Sequence, residues 1–83
     1  MKKQQEISRP RRERHPIPKD LKDTLVKKRL WNAYLARPPY QRNDYVGWIT
    51  GAKLAATRAK RTQQMLDELV QGALYMKMKW NPR

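Results

Sequence analysis

Lys53, Arg58, Lys60 and Arg61 place four positive charges within nine residues, with no acid among them. Guanidinium and ammonium groups at that density suit an anionic partner, and free backbone N–H groups at the start of a helix would add to the attraction. The competing reading has Arg58 or Arg61 paired with a carboxylate such as Asp44 or Asp20, fixing one helix on another. A second basic group, Arg9, Arg11, Arg12 and Arg14, can neutralise phosphates but carries no means of reading bases. Tyr40, beside a double proline, and Trp80 are the candidates for exposed aromatic contacts. Trp31, Tyr34, Tyr45 and Trp48 could stack nucleobases, but their helical spacing fits a core stripe better. Catalysis requires a base, a nucleophile or a metal held in a pocket, and no such set is visible. His15 falls in a basic arm, and Asp67 and Glu68 fall on what reads as the outer side of the last helix. No carboxylate pair shares ligand spacing with a histidine. The expectation is no catalytic residue, no metal and no cofactor.

The elements that must position these groups have to come from a short chain. Eighty-three residues allow one domain, and a domain of that size buries only about 60% of the surface its unfolded chain exposes. Without cysteine, neither a disulfide nor a thiolate zinc site can reinforce it. Twenty Lys and Arg against seven Asp and Glu give a formal charge of +13, which favours anionic partners through long-range attraction. The opening lysines lead into glutamines and arginines rather than an apolar segment of signal length, so export by the usual route is not expected and the localisation read is cytoplasmic. No stretch approaches the roughly 20 apolar residues that span a bilayer.

Residues 1–16 are rich in Arg and Lys and nearly devoid of apolar side chains, which predicts a flexible basic arm. Pro18 suits a first helical turn, Asp20 and Asp23 suit its positive end, and Leu21 and Leu25 share one side. Leu30, Trp31, Tyr34 and Leu35 continue the pattern into a second short helix or a bent extension of the first, ended at Arg37 by the following proline. A third helix is predicted over residues 40–50, with Tyr45, Trp48, Ile49 and Ala52 inward. A fourth is predicted over residues 54–71, with Ala55, Ala59, Thr62, Leu66 and Leu69 inward, Met65 and Val70 marginal, and Gly72 as C-cap. The predicted core is Leu21, Leu25, Trp31, Tyr34, Tyr45, Trp48, Ile49, Leu66 and Leu69. The fold class is all-α, a small orthogonal bundle of three or four helices over residues 17–73, followed by a C-terminal extension over residues 74–83. In that extension Met76, Met78 and Trp80 would share one face of an extended strand with nothing in the chain to pair with.

Pro38, Pro39, the Tyr45, Val46, Trp48, Ile49 run, Ala52, Lys53 and the Thr57, Arg58, Arg61 cluster precede Met65, Leu66 and Gly72 in an order that resembles the C-terminal helical domain of the YdeI/OmpD-associated, or bacteriocin-protection, family. The similarity covers roughly residues 17–72. Tyr40 stands where members commonly have a capping serine, and Thr62 where an aliphatic residue is common. The resemblance implies a helical domain and a link to bacterial tolerance of bacteriocins or antimicrobial peptides and to envelope proteins; it supplies no catalytic residues.

A cationic chain would repel cationic peptides, which argues against direct sequestration. The function expected is a non-enzymatic binding or adaptor module with an unidentified protein partner. The alternative is non-specific nucleic-acid binding through the arm and the basic face of the last helix. The short turn near Gly51 and the lack of Asn or Gln over residues 53–61 weaken a helix-turn-helix reading. A third alternative is docking on an anionic membrane surface, with Met78 and Trp80 at the interface and lysines at the headgroups.

Overall fold

The computed structural model describes residues 14–81. Arg9, Arg11 and Arg12, and most of the predicted arm, lie outside the described residues. Four helices follow in order, α1 (Lys19–Lys27), α2 (Trp31–Leu35), α3 (Pro39–Thr50) and α4 (Ala55–Gln71), and then two short strands, β1 (Leu74–Tyr75) and β2 (Met78–Lys79). The all-α expectation holds, with the small antiparallel hairpin as its one addition among the described residues.

Each boundary has a local cause. Pro18, in extended conformation, caps α1, one position earlier than the predicted first turn, and Lys19 pairs with Asp23 at 3.0 Å. The end of α1 answers the question of a second helix or a bend. Arg29 sits at φ 62°, its N–H bonds the Val26 carbonyl, and the Leu30 N–H returns to the Leu25 carbonyl at 2.8 Å. This is the closing pattern usually supplied by glycine, and it separates α2 as its own helix. Pro38 then caps α3 in extended conformation, with Pro39 in the first turn where its missing N–H costs nothing. Gly72, at φ 81°, ends α4 in the left-handed region.

Helices α3 and α4 pack on each other, α2 packs on α1 and α4, and β1 lies against α4. Leu21, Leu25, Tyr34, Tyr45, Val46, Ile49, Met65, Leu66 and Leu69 form the buried cluster. Trp31 and Trp48, predicted in the core, are only partly buried at its edge. Val46 and Gln41, which the sequence pattern passed over, are fully enclosed. On α4 the inward face is rotated from the predicted one. Met65 is completely buried rather than marginal, and Val70 is 70% exposed. Ala55 and Ala59 face solvent.

The C-terminal segment corrects the unpaired strand. Leu74 pairs with Lys79 and Tyr75 with Met78, while Met76 and Lys77 occupy the turn at φ 51° and 65°. Two positive φ values in a two-residue loop are the geometry of a type I′ hairpin. The predicted alternation of Met76, Met78 and Trp80 along one face is broken by that turn.

Candidate functional site

Glu68 decides how much of the predicted chemistry remains on the surface. It is 3% exposed, so its placement on the outer side of the last helix was incorrect. Oε1 accepts from the Tyr45 hydroxyl at 2.5 Å and the Met76 N–H at 2.8 Å. Oε2 accepts from the Lys77 N–H at 2.8 Å and from Gln64 Nε2 at 3.1 Å. All four acceptor directions of the carboxylate are used. Burial, followed by the hydrogen bond to and the charge of Glu68, pushes the Tyr45 hydroxyl well above the usual tyrosine range. Glu68 thus holds both N–H groups of the strained hairpin turn and anchors it to α3 and α4.

Arg37, expected only to stop α2, is also buried. Its guanidinium donates to Gln41 Oε1 at 3.0 Å and to the Glu68 carbonyl at 2.9 Å, and the Trp80 ring covers it at 4.6 Å. Trp80 is therefore a half-buried lid on Arg37, not an exposed contact. Tyr40 is exposed as expected but packs edge-on to Tyr75 at 5.8 Å. Met78 remains exposed.

The basic cluster divides. Arg58 pairs with Asp20 at 2.9 Å, fastening α4 to α1. Arg61 donates to the Trp48 carbonyl at 2.7 Å and lies 5.3 Å from the Trp48 ring centre, closing the end of α3. Both arginines thus take the structural reading, while Lys53 and Lys60 face solvent with no side-chain partner among the described residues. Beside them Leu54 is 68% exposed, and Ala55 and Ala59, one turn apart, extend an apolar strip along the same helix. The result is a small apolar and cationic ridge at the start of α4.

A second surface feature has no counterpart in the sequence reading. An open cleft of about 450 Å³ is lined by Arg14, His15 and Tyr34, and by Pro39, Tyr40, Arg42 and Asn43 from the first turns of α3. The His15 N–H donates to Asn43 Oδ1 at 2.7 Å. Its imidazole lies on α3 where a Cβ at Gly47 would come within 2.6 Å of Cδ2. His15, read from the sequence as part of the arm, thus packs against α3. Arg42 donates from Nε to the Arg37 carbonyl at 3.1 Å. Burial raises the Tyr34 hydroxyl above its usual range against the opposing charge of Arg42, leaving it a neutral donor at neutral pH.

The arrangement offers cations and hydroxyls. Among the described residues no three His, Cys, Asp or Glu side chains cluster as a metal site would require, and no helix is long and apolar enough to cross a membrane. Against known proteins, residues 15–72 match the family described as OmdA, bacteriocin-protection, YdeI or OmpD-associated. No curated protein and no solved structure matches the chain.

Proposed function

The chain belongs to the bacteriocin-protection, YdeI or OmpD-associated family, and we propose that it serves there as a small, non-enzymatic, cytoplasmic binding or adaptor module. It contributes to tolerance of antimicrobial peptides or envelope stress by engaging another protein. The observation that supports this reading is the ridge at the start of α4, where exposed Leu54, Ala55 and Ala59 lie between Lys53 and Lys60. Apolar surface flanked by lysines suits an acidic, partly apolar protein segment, because burial supplies affinity and the lysines steer approach. Nucleic acid is a weaker match for this face, since Arg58 and Arg61 are engaged by Asp20 and the Trp48 carbonyl.

The test is capture from the native cell with the full chain, nuclease treated and washed at high salt, alongside a Leu54→Asp, Lys60→Glu variant. The expected outcome is a protein retained by the wild type after both treatments and lost by the variant. Retention that vanishes with nuclease, or survives the double substitution, contradicts the reading.

A further inference from the structure

We propose that the edge where α1 meets α2 docks on an anionic lipid surface. The inference is independent of the partner ridge on α4 and rests on different residues. Lys22 and Val26 stand one turn apart on α1, and Trp31 and Leu35 one turn apart on α2. The Lys22 ammonium lies 5.1 Å from the centre of the Trp31 ring, which joins the two pairs into one surface. Val26 is 53% and Leu35 45% exposed, and Trp31 is only partly buried. The open cleft is lined by other residues, so these side chains project from a helix edge.

Charge decides which partner the edge fits. Lys22 flanks the aliphatic side chains, and exposed Arg29 follows at the end of α1. Asp23, the carboxylate next to Lys22 in the chain, is paired with Lys19 at 3.0 Å. Asp20 lies on the opposite flank, where it holds Arg58 of α4 at 2.9 Å, and Lys27, two turns on, shares that flank. The edge is therefore apolar and cationic, while both acids of α1 are engaged by other cations.

At the boundary between headgroups and acyl chains each of these groups has a place. Valine and leucine enter the acyl layer, an indole sits at the boundary, and a long cationic side chain returns its charge to the phosphates. Attraction between the cations and an anionic leaflet is screened by salt, whereas burial of the aliphatic side chains is not. No helix among the described residues is long and apolar enough to cross the bilayer, so the contact is a surface one. Trp80, the aromatic expected at a membrane, is stacked on Arg37 instead. Because the bond between Asp20 and Arg58 ties the start of α4 to the far flank of α1, a lipid surface at this edge leaves the ridge open to a protein.

The experiment is sedimentation of the full chain with vesicles of phosphatidylcholine alone and of phosphatidylcholine mixed with phosphatidylglycerol, at low and high salt. Brominated acyl chains serve as a quencher of tryptophan emission. The formal charge of +13 draws any variant toward the anionic vesicles, so the apolar substitutions carry the test. The wild type should bind the mixed vesicles, keep part of that binding at high salt, and show quenching that Trp31→Phe largely removes. Val26→Ser and Leu35→Ser change exposed side chains and leave the charge unaltered, so the fold is retained. Together they should weaken vesicle binding by about tenfold or more, from apolar area no longer buried. Leu54→Ser on the ridge and Val70→Ser near the end of α4 should bind as the wild type does. The proposal is overturned if the Val26→Ser, Leu35→Ser protein binds vesicles as tightly as the wild type, or if Leu54→Ser or Val70→Ser weakens binding to the same extent. It is equally overturned if Trp31→Phe leaves the quenching in place. A double variant that loses a protein captured from the cell while its vesicle binding is intact would make the edge a protein contact and overturn the proposal as well.

Discussion

A buried carboxylate is costly unless all its acceptor directions are used, and at Glu68 they are. The Tyr45 hydroxyl is the side-chain donor that arrives from α3, and its raised pKa has a consequence for stability. A tyrosine that ionises less readily when folded stabilises the native state fully below the unfolded value near 10. That contribution is lost as pH rises above 10 toward the higher folded value, because only the unfolded chain can release the proton easily. Tyr45→Phe should therefore show a shallower alkaline fall in stability than the wild type, measured by denaturant unfolding between pH 8 and 11. At neutral pH the variant should be less stable by about 1–3 kcal/mol, because one buried oxygen loses a donor. Equal slopes in the two proteins would remove Tyr45 as the titrating group.

At the scale of the elements, the hairpin is held by its turn contacts more than by its strands. Each strand has two residues, and an isolated hairpin of that size is marginal in water. Met76 and Lys77 take left-handed conformations that ordinarily favour Asn or Gly, and the Glu68 carboxylate holds both of their N–H groups. Glu68→Gln puts an amide donor among donors. It should cost about 2–3 kcal/mol and raise amide hydrogen exchange at Met76 and Lys77 at least tenfold while α3 and α4 remain formed. Unchanged protection would show that the hairpin closes without the carboxylate. The same residues explain what could be read from the chain. Pro18, Pro38, Pro39 and Gly72 mark helix ends by their own backbone chemistry, and the Leu21, Leu25 and Tyr45, Ile49 pairs mark inward faces. The turn at Met76 and Lys77 carries no glycine or asparagine, since the Glu68 carboxylate stabilises it, and the break at Arg29 carries none either and is closed by local backbone bonds. The burial of Arg37 and Glu68 depends on partners distant in sequence, so periodicity placed neither of them inside, and Gln41 is buried through its bond to Arg37. The cleft was missed for a related reason: His15 reads as part of a basic tail until Gly47 is seen beneath its ring.

Across the whole molecule, the five described carboxylates all have internal partners. Asp20 holds Arg58, Asp23 holds Lys19, Asp44 holds the Tyr75 hydroxyl, Asp67 holds Gln63, and Glu68 is enclosed. Against a formal charge of +13, this leaves a cationic outer surface. The ridge from Lys53 to Lys60 adds exposed apolar side chains to that charge, and it is where the adaptor reading puts the partner. The most direct measurement is lysine acylation footprinting of the full chain in the native cell and after purification, with a nuclease-treated lysate as a third sample. Lys53 and Lys60 should be protected in the cell and in the nuclease-treated lysate, and reactive once purified, while Lys27 and Lys28 label alike in all three. Equal labelling of Lys53 and Lys60 throughout, or protection that nuclease abolishes, would contradict a protein partner at this face.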